Sequence, residues 1–408
     1  MASVGLLLTA ALAAQPSGWR HDGSGAWPAE RAPTTWAADA VAWRTPLPTW
    51  SNASPVAVGG LVCAAVEPTT LTCVDAATGA LRWKAEHPIA ATFEGAKRAE
   101  VEALVAKRTE LEARIDVVRT EYSKLLREAR RGGAEVTAKL EAQTAELDRL
   151  KAELEATPEY RTPPTQGMVG WSSPTPATDG TRVYALFANG VIAAHTLDGA
   201  LVWQRWLGPM PDRMLGWDEG HAASPLVVGP TLVVPFRTLQ GLDPATGATR
   251  WEGEAWPHYG APAPAEVDGV PLVVSPSGTI YRARDGAVVA KGLADQWYVG
   301  PIVRDRWVWF LEARSDVIMK AEGGANLVAW TLDGLAGGTL ATTKRWTTRI
   351  PERETFYAAP VVAGDHLHAA SHDGRVWTLE AETGRITSQV VVEPLRPSVI
   401  WSSPAVAG

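Results

Sequence analysis

Short apolar segments rich in Val, Leu, Trp and Thr recur along most of the chain, and Gly, Asp and Pro separate them. Around Pro360 this pattern predicts four strands, at residues 361–362, 366–370, 375–380 and 386–392, joined by tight turns. Four short antiparallel strands in succession are typical of one blade of a β-propeller. The pattern therefore predicts a repeat architecture in which each repeat forms one blade.

Two phrases mark the repeats. An Asp-x-x-Thr-Gly turn ends the third strand, at Asp75, at Asp243 and in a variant form at Glu380. A Trp follows most of these turns, and we expect it to pack as a wedge between neighbouring blades. A Pro that starts the first strand follows a small residue at Ser54, Ser173, Ser224, Ala261, Gly300, Ala359 and Ser403. The predicted fold is all-β, a propeller of about seven four-stranded blades with the last one incomplete.

One segment breaks the repeat. Residues 94–157 carry apolar residues at three- and four-residue spacing among Glu, Lys, Arg and Ala, in two runs separated by Gly132-Gly133. Arg108 interrupts the first run. This heptad pattern predicts an antiparallel α-helical coiled-coil hairpin inserted in the propeller.

Charge and the amino terminus narrow the function classes. The net charge is −7 without a basic stripe, which argues against a nucleic-acid partner. Residues 1–15 are apolar and end in small residues, as in a signal peptide, with a short disordered terminus as the alternative. No later segment is apolar enough to span a membrane, so we expect a periplasmic or extracellular protein. After the signal peptide we expect the propeller start at 16–93, the insertion at 94–157 and the remaining blades at 158–408.

The two cysteines, Cys63 and Cys73, lie on two apolar runs joined by a short loop. If that loop closes a three-residue hairpin, the side chains lie opposite each other and can form a disulfide in an oxidising compartment. Two small buried residues that happen to be close are the alternative.

The Ser-Pro-Val start, the Asp-x-x-Thr-Gly turn and the trailing Trp resemble the repeat of the pyrroloquinoline quinone (PQQ)-like β-propeller family. Trp19-Arg20-His21-Asp22-Gly23 also resembles the opening of many members. The resemblance covers most of the chain outside the helical insertion. It implies one of two functions, because the family includes quinoprotein alcohol dehydrogenases with PQQ and calcium on the propeller axis. It also includes a non-catalytic lipoprotein of the outer-membrane β-barrel assembly machinery.

Members commonly close the ring with an N-terminal strand. Residues 42–45 resemble such a fourth strand, which would close a blade begun at Ser403. The chain stops at Gly408, after the first strand of that unit. We expect six full repeats and a partial seventh, with irregular closure and a truncated reading frame as the two explanations.

Aromatic residues gather just before the Pro anchors. In the family the innermost strand follows this point, so these side chains should ring one mouth of the central channel and bind a ligand or partner. The alternative is that they plug the channel and pack against one another. The candidates are Trp50, Trp171, His221, Tyr259, Trp297, Tyr298, Tyr357 and Trp401.

Other candidate chemistry is weaker. The family's dehydrogenases use an adjacent Cys–Cys pair against the cofactor, and this chain has no such pair. We therefore expect no catalytic residue and no cofactor, and PQQ with calcium only under the alternative. His366 and His368 share one face of a predicted strand and are weak candidates for metal ligands. Polar residues on a blade surface are the other interpretation of this pair.

These patterns favour an exported, non-catalytic propeller. We expect it to bind another protein or an envelope component through the aromatic mouth and the helical hairpin. A hairpin that is only a spacer is the alternative for that segment. The alternative function is a PQQ- and calcium-dependent quinoprotein oxidoreductase.

Overall fold

The computed structural model describes residues 17–27, 41–129, 133–156, 160, 169–210, 220–256, 259–296, 298–313, 325–350, 356–371 and 374–391. The strands form six sheets, each of four consecutive antiparallel strands, and a short strand from the start of the chain joins one of them in parallel. The first strands of the first five blades contact one another in succession, which makes them the innermost strands of the propeller. The predicted all-β propeller is therefore confirmed, and the predicted seventh unit beginning at Ser403 lies outside the described residues.

The strands of the first three blades follow the chain, after a short strand β1 (Ala26–Trp27) that joins blade six. Blade one comprises β2 (Val56–Val58), β3 (Leu61–Val66), β4 (Thr70–Asp75) and β5 (Leu81–Glu86). Blade two comprises β6 (Ala177–Thr178), β7 (Arg182–Leu186), β8 (Val191–Thr196) and β9 (Leu201–Trp206). Blade three comprises β10 (Leu226–Val228), β11 (Thr231–Phe236), β12 (Thr238–Leu242) and β13 (Thr249–Ala255).

The other three blades have the same order. Blade four comprises β14 (Ala263–Val267), β15 (Val270–Val274), β16 (Ile280–Arg282) and β17 (Val288–Ala290). Blade five comprises β18 (Ile302–Arg304), β19 (Trp307–Ala313), β20 (Ala325–Ala336) and β21 (Thr339–Ile350). Blade six comprises β22 (Val361–Ala363), β23 (His366–Ala370), β24 (Arg375–Glu380) and β25 (Ile386–Val391), close to the four strands that the sequence predicts.

The hydrophobic core lies between blades. Trp309 of blade five and Trp377 of blade six are both almost fully buried in one apolar cluster, and comparable clusters fill the other interfaces. The inner strand β10 is buried or half-buried at every residue, whereas the outer strand β25 is exposed along its length. Blade stacking is therefore what buries the apolar surface of each repeat.

Tryptophans join successive blades as the sequence predicts. The indole N–H of Trp83, Trp203, Trp251 and Trp346 donates to a carbonyl in a turn of the next blade at 2.8–3.1 Å. A glycine with φ of 69–94° lies under each ring, where a Cβ would stand 2.6–2.7 Å from it. A left-handed backbone without a side chain is therefore required at these turns. The four glycines are Gly199, Gly247, Gly286 and Gly384.

The predicted closing segment, residues 42–45, forms no strand in the structure. It nevertheless makes the contact of an outer strand, because the Trp43 indole donates to the Ala76 carbonyl at 3.0 Å and covers Gly79. Thr45 Oγ1 donates to the Gly79 carbonyl at 2.5 Å. Residues 42–45 therefore dock on blade one in place of a preceding blade.

The insertion forms two helices, α1 (Gly95–Ala129) and α2 (Ala134–Glu155). Ion pairs Lys107–Glu153 and Arg114–Glu146 show that the helices run antiparallel. Leu111, Ile115, Leu147 and Leu150 form their apolar seam. Arg108, which interrupts the apolar pattern, is 2% exposed and donates from Nη1 to the Leu154 carbonyl at 2.8 Å.

Candidate binding site at one end of the ring

The strand directions give the ring two different ends. In each blade the first strand begins and the fourth strand finishes at one end, because the four strands alternate in direction. We call this the tyrosine end, since Tyr259, Tyr298 and Tyr357 precede first strands there. The turns between third and fourth strands, which hold the Trp–Gly contacts, lie at the opposite end, the turn end. The helical hairpin follows β5 and so leaves blade one at the tyrosine end.

Three of the predicted mouth residues form a continuous aromatic arc. Tyr259 of blade four stacks on Tyr298 of blade five, with ring centroids 5.0 Å apart. Tyr298 meets Tyr357 of blade six edge to face at 5.5 Å. All three tyrosines are half-buried. We call this group the tyrosine arc.

Two predicted tryptophans lie at the same end, where blade one meets blade two. The Trp50 side chain is exposed and approaches Gly170, next to Trp171. Glu67 fixes this junction, because its Oε1 accepts from the Ser172 N–H at 2.7 Å and from the Ser172 hydroxyl at 2.6 Å. These aromatics therefore stand on a rigid inter-blade contact.

His221, which is also predicted at the mouth, is buried in the structure. Its ring is 8% exposed, lies edge to face on Phe236 at 5.0 Å and donates from Nε2 to the Ala223 carbonyl. Burial lowers the pKa of His221 to about 4, against the opposing effect of that hydrogen bond. Trp297 and Trp401, also predicted at the mouth, lie outside the described residues.

The axis of the ring is filled by residues 17–27, which we call the plug. It pairs with the inner strand of blade two at Thr178 and with that of blade six at Val362. On the way, the Ser24 carbonyl accepts from the Val303 N–H of blade five at 2.8 Å. The plug therefore crosses the axis and touches inner strands on opposite sides of the ring.

The tip of the plug carries a buried charge beneath the tyrosine arc. Trp19 packs on Gly300, two residues beyond Tyr298. Arg20 is 7% exposed and donates to the carbonyls of Gly25 and Pro360. Burial lowers the pKa of Arg20 to about 9, while the charge of Asp22 opposes this. In the sequence, Trp19–Gly23 resembles the opening of other family members. That resemblance does not predict that these residues lie on the propeller axis.

The plug also determines whether a quinone can fit on the propeller axis. The family resemblance implies PQQ and calcium on the propeller axis, and in this chain the Arg20 side chain, the Trp19 ring and the plug backbone fill that space. No group of three or more His, Cys, Asp or Glu side chains within the described residues could hold a metal ion. The axial residues of this chain therefore do not fit PQQ with calcium.

The predicted metal pair His366 and His368 lies on β23 with ring centroids 6.4 Å apart. His368 contacts Thr378 Oγ1 through Nδ1 at 3.0 Å, and burial lowers its pKa. His366 is exposed. The two rings thus share a strand face, as the spacing requires, and the described residues bring no third ligand to them.

The structure records a disulfide between Cys63 and Cys73, which are direct partners on β3 and β4. Both residues are fully buried in the core between blades one and two. The three-residue loop at 67–69 produces this register.

The base of the hairpin is packed on the ring. Phe93, Val101 and Tyr160 form an apolar cluster with Trp206 of blade two, and Tyr160 lies 5.2 Å from the Trp206 ring. The hairpin is therefore fixed to blade two at its base. Neither helix combines the length and the apolarity that a membrane-spanning helix needs, within the segments that the structure describes.

A ring of four-stranded blades joined by Trp–Gly contacts defines a PQQ-type β-propeller. Residues 22–234, just over half of the chain, match the PQQ_2 family, described as "Outer membrane protein assembly factor BamB", and the chain belongs to this family. No curated protein matches the chain.

Solved structures of two kinds of protein, an assembly factor and alcohol-oxidising dehydrogenases, are similar to this chain. BamB from Moraxella catarrhalis is 15% identical, with 82% of this chain and 74% of that chain covered and a TM-score of 0.44. A europium-containing methanol dehydrogenase is 10% identical over 88% of this chain and 71% of that chain, with a TM-score of 0.44. Quinohemoprotein alcohol dehydrogenase from Comamonas testosteroni is 10% identical over 88% and 68%, with a TM-score of 0.39.

Proposed function

We propose that this protein is an exported, non-catalytic scaffold that binds a protein partner at its tyrosine end. The observation that carries the proposal is that two features, the tyrosine arc and the helical hairpin, lie at the same end of the ring. A partner that touches one is therefore in reach of the other. The family description as an assembly factor is in keeping with this role.

The chemistry of the tyrosine arc suits a protein surface. Tyrosine offers a large apolar face and a hydroxyl at low conformational cost, which is why it is enriched in protein interfaces. The Trp19 ring of the plug packs on Gly300, two residues beyond Tyr298, so we expect a shallow site. A shallow aromatic surface favours an extended peptide or a loop over a small molecule, which prefers a deep pocket.

The hairpin adds reach. With 35 residues, α1 is about 50 Å long at 1.5 Å per residue, and its base is fixed by Trp206. Val117 and Leu126 of its outer half are 70% and 43% exposed. These apolar side chains lie away from the seam and are available to a partner helix.

Export is part of the proposal. The apolar residues 1–15 have the composition of a signal peptide, and a disulfide such as Cys63–Cys73 persists in oxidising compartments. Fractionation of the source cells tests this directly: the chain should be released with the periplasmic or extracellular fraction. Recovery in the cytoplasmic fraction would contradict it.

A shortened hairpin tests the binding role without disturbing the ring. Replacing residues 116–144 by a Gly-Gly turn removes about 20 Å of each arm but keeps Leu111, Ile115, Leu147 and Leu150 and the base. We expect an unchanged melting temperature and loss of the protein that the full chain captures from envelope extract. Equal capture by the shortened chain would make the hairpin a spacer. The matched control, Lys124→Ala, changes an exposed side chain of the same arm and should capture normally.

The alternative function has its own test. The purified chain is mixed with PQQ and calcium, and dye-linked alcohol oxidation is measured. We expect no activity, because the plug occupies the axis. Alcohol oxidation would contradict the proposal.

A further inference from the structure

Two buried histidines contact each other beside the base of the hairpin. His87 follows β5 of blade one, and His195 lies on β8 of blade two. Their Nε2 atoms are 3.2 Å apart, which is the distance of a hydrogen bond, and both residues are 2% exposed. The function proposed above uses neither side chain.

The contact between the two rings has room for one proton. A hydrogen bond between imidazoles pairs an N–H of one ring with the lone pair of the other. If both rings were protonated, two N–H groups and two positive charges would face each other across 3.2 Å. The buried contact is therefore incompatible with double protonation.

No opposite charge offsets a proton taken up by this pair. The only titratable group that acts on His87 is His195, and within the described part of the chain no carboxylate acts on either ring. Burial and the neighbouring His195 lower the pKa of His87 to about 4, and burial also lowers the pKa of His195. The other groups that contact the two residues are neutral: Trp83 of β5, Phe187 and Asn189 after β7, the Gly199 carbonyl and Gln204 of β9.

One glutamine connects the pair to the hairpin. Gln204 Oε1 lies 3.3 Å from His87 Nδ1, and Gln204 Nε2 donates to the Ala91 carbonyl. Ala91 belongs to the 3₁₀ turn (Ile89–Thr92) that precedes α1, and His87 stands two residues before that turn. A His87 side chain that leaves the pair therefore releases Gln204 and moves the turn with it.

We propose that the His87–His195 contact is acid-sensitive, so that it keeps the base of the hairpin on blade two at neutral pH and releases it in acid. Rings that separate reach water and take up a proton each, which favours the released state as the pH falls. Only the apolar cluster around Trp206 then holds the base, among the contacts that the structure describes. The inference concerns the position of the hairpin and does not depend on what the hairpin binds.

Hydrogen exchange of the purified full chain, measured by mass spectrometry at pH 7.5 and pH 5, tests this. Protection factors, which remove the intrinsic effect of pH on exchange, are compared for residues 87–105 at the hairpin base and residues 325–350 of blade five. Because the pKa of His87 returns from about 4 to 6.5 on release, the released state should be roughly 30-fold more populated at pH 5. We expect protection of residues 87–105 to fall by about that factor and protection of residues 325–350 to change far less.

Neutral side chains at both positions should remove the response. The double variant His87→Gln with His195→Gln keeps groups that donate and accept hydrogen bonds but do not titrate, so residues 87–105 should be protected equally at both pH values. His221→Gln is the matched control, because it removes a buried histidine that contacts Phe236 and Ala223 of blade three. It should retain the full response at the hairpin base.

Two results would overturn the proposal. One is wild-type protection of residues 87–105 that stays constant to pH 5 or falls no more than that of residues 325–350, and this measurement needs no variant. The other is a double variant whose hairpin base loses protection in acid as strongly as the wild-type chain.

Discussion

The two ends of the ring contain different kinds of contact. At the turn end the same contact recurs: the Trp43, Trp83, Trp203, Trp251 and Trp346 rings each cover a glycine and donate to a carbonyl of the following blade. At the tyrosine end the blades differ. Blades four to six supply the tyrosine arc, blade three supplies buried His221, and blade one supplies the hairpin.

This contrast indicates which end of the propeller carries function. A side chain that recurs at most interfaces serves the stacking of the blades, which those interfaces share. A feature that only part of the ring carries is free to serve something else. We therefore assign stability to the turn end and binding to the tyrosine end.

One interface at the turn end departs from the pattern. The outer strand β17 of blade four has no Trp, and Arg306 of blade five pairs with Asp268 of blade four at 2.7 Å. Both side chains are about half exposed, so the pair contributes little by itself. The core between these blades, which contains Phe310 and Leu332, has to hold them together.

The largest expected effect is the loss of a turn-end Trp. Trp251 is 7% exposed, stacks on Tyr281 at 5.9 Å and donates to the Ala283 carbonyl. Trp251→Ala should lower the free energy of unfolding by about 3–5 kcal/mol, as for other buried aromatic truncations. Denaturant unfolding followed by Trp fluorescence measures this. A loss below 1 kcal/mol would show that the contact does not stabilise the ring.

The next largest effect on stability is expected at His221, which lies at the tyrosine end but is buried. Because its pKa falls from 6.5 to about 4 on folding, the unfolded chain binds the proton more tightly between these values. Stability is fully present above pH 6.5 and falls by up to about 3 kcal/mol as pH drops to 4. His221→Gln keeps a donor for Ala223 and should reduce that loss. Identical pH profiles of the two proteins would contradict the burial of His221.

Two glycine variants, compared with each other, separate the effect of the Trp contact on stability from the effect of backbone strain. Gly247 and Gly60 have φ of 71° and 78°, but Gly247 lies under Trp203 whereas Gly60 has nothing within 4 Å of a new Cβ. Gly60→Ala should cost about 1–2 kcal/mol, the usual cost of a left-handed alanine. Gly247→Ala should cost about 2 kcal/mol more, because it also displaces the ring. Equal costs in thermal unfolding would mean that the ring adapts freely.

The smallest effect on stability is expected at the tyrosine arc. Tyr298 is half-buried, so Tyr298→Ser should change the free energy of unfolding by about 1 kcal/mol or less. The same variant should lose most of the captured partner. Calorimetry and capture from envelope extract are measured on one preparation. Normal capture would remove Tyr298 from the site.

The sequence predicted the repeated parts well because each blade repeats its own signal. The Pro anchors, the Asp-x-x-Thr-Gly turns and the trailing Trp predicted the four strands of blade six and the inter-blade wedge. The hairpin was predicted because a helical period differs from a strand period. Tyr259, Tyr298 and Tyr357 were placed together because their common offset from the Pro anchor places them at one end.

The features that the sequence did not predict depend on contacts between residues far apart in the chain. Arg20 meets Pro360 across 340 residues of sequence, so the plug could not be placed on the axis from its own residues. His221 lies four residues before its anchor Pro225, one more than the three tyrosines, and the Phe236 ring of its own blade packs on it. Arg108 looked like a break in the seam until the Leu154 carbonyl supplied its partner.

The division between the two ends is tested most directly by site-specific photo-crosslinking in cells. A photoreactive residue is placed at Tyr298 of the tyrosine end or at Ala77, an exposed residue of the turn end. We predict a covalent adduct with another protein from position 298 and none from position 77. An adduct from position 77 with none from position 298 would contradict the assignment of binding to the tyrosine end.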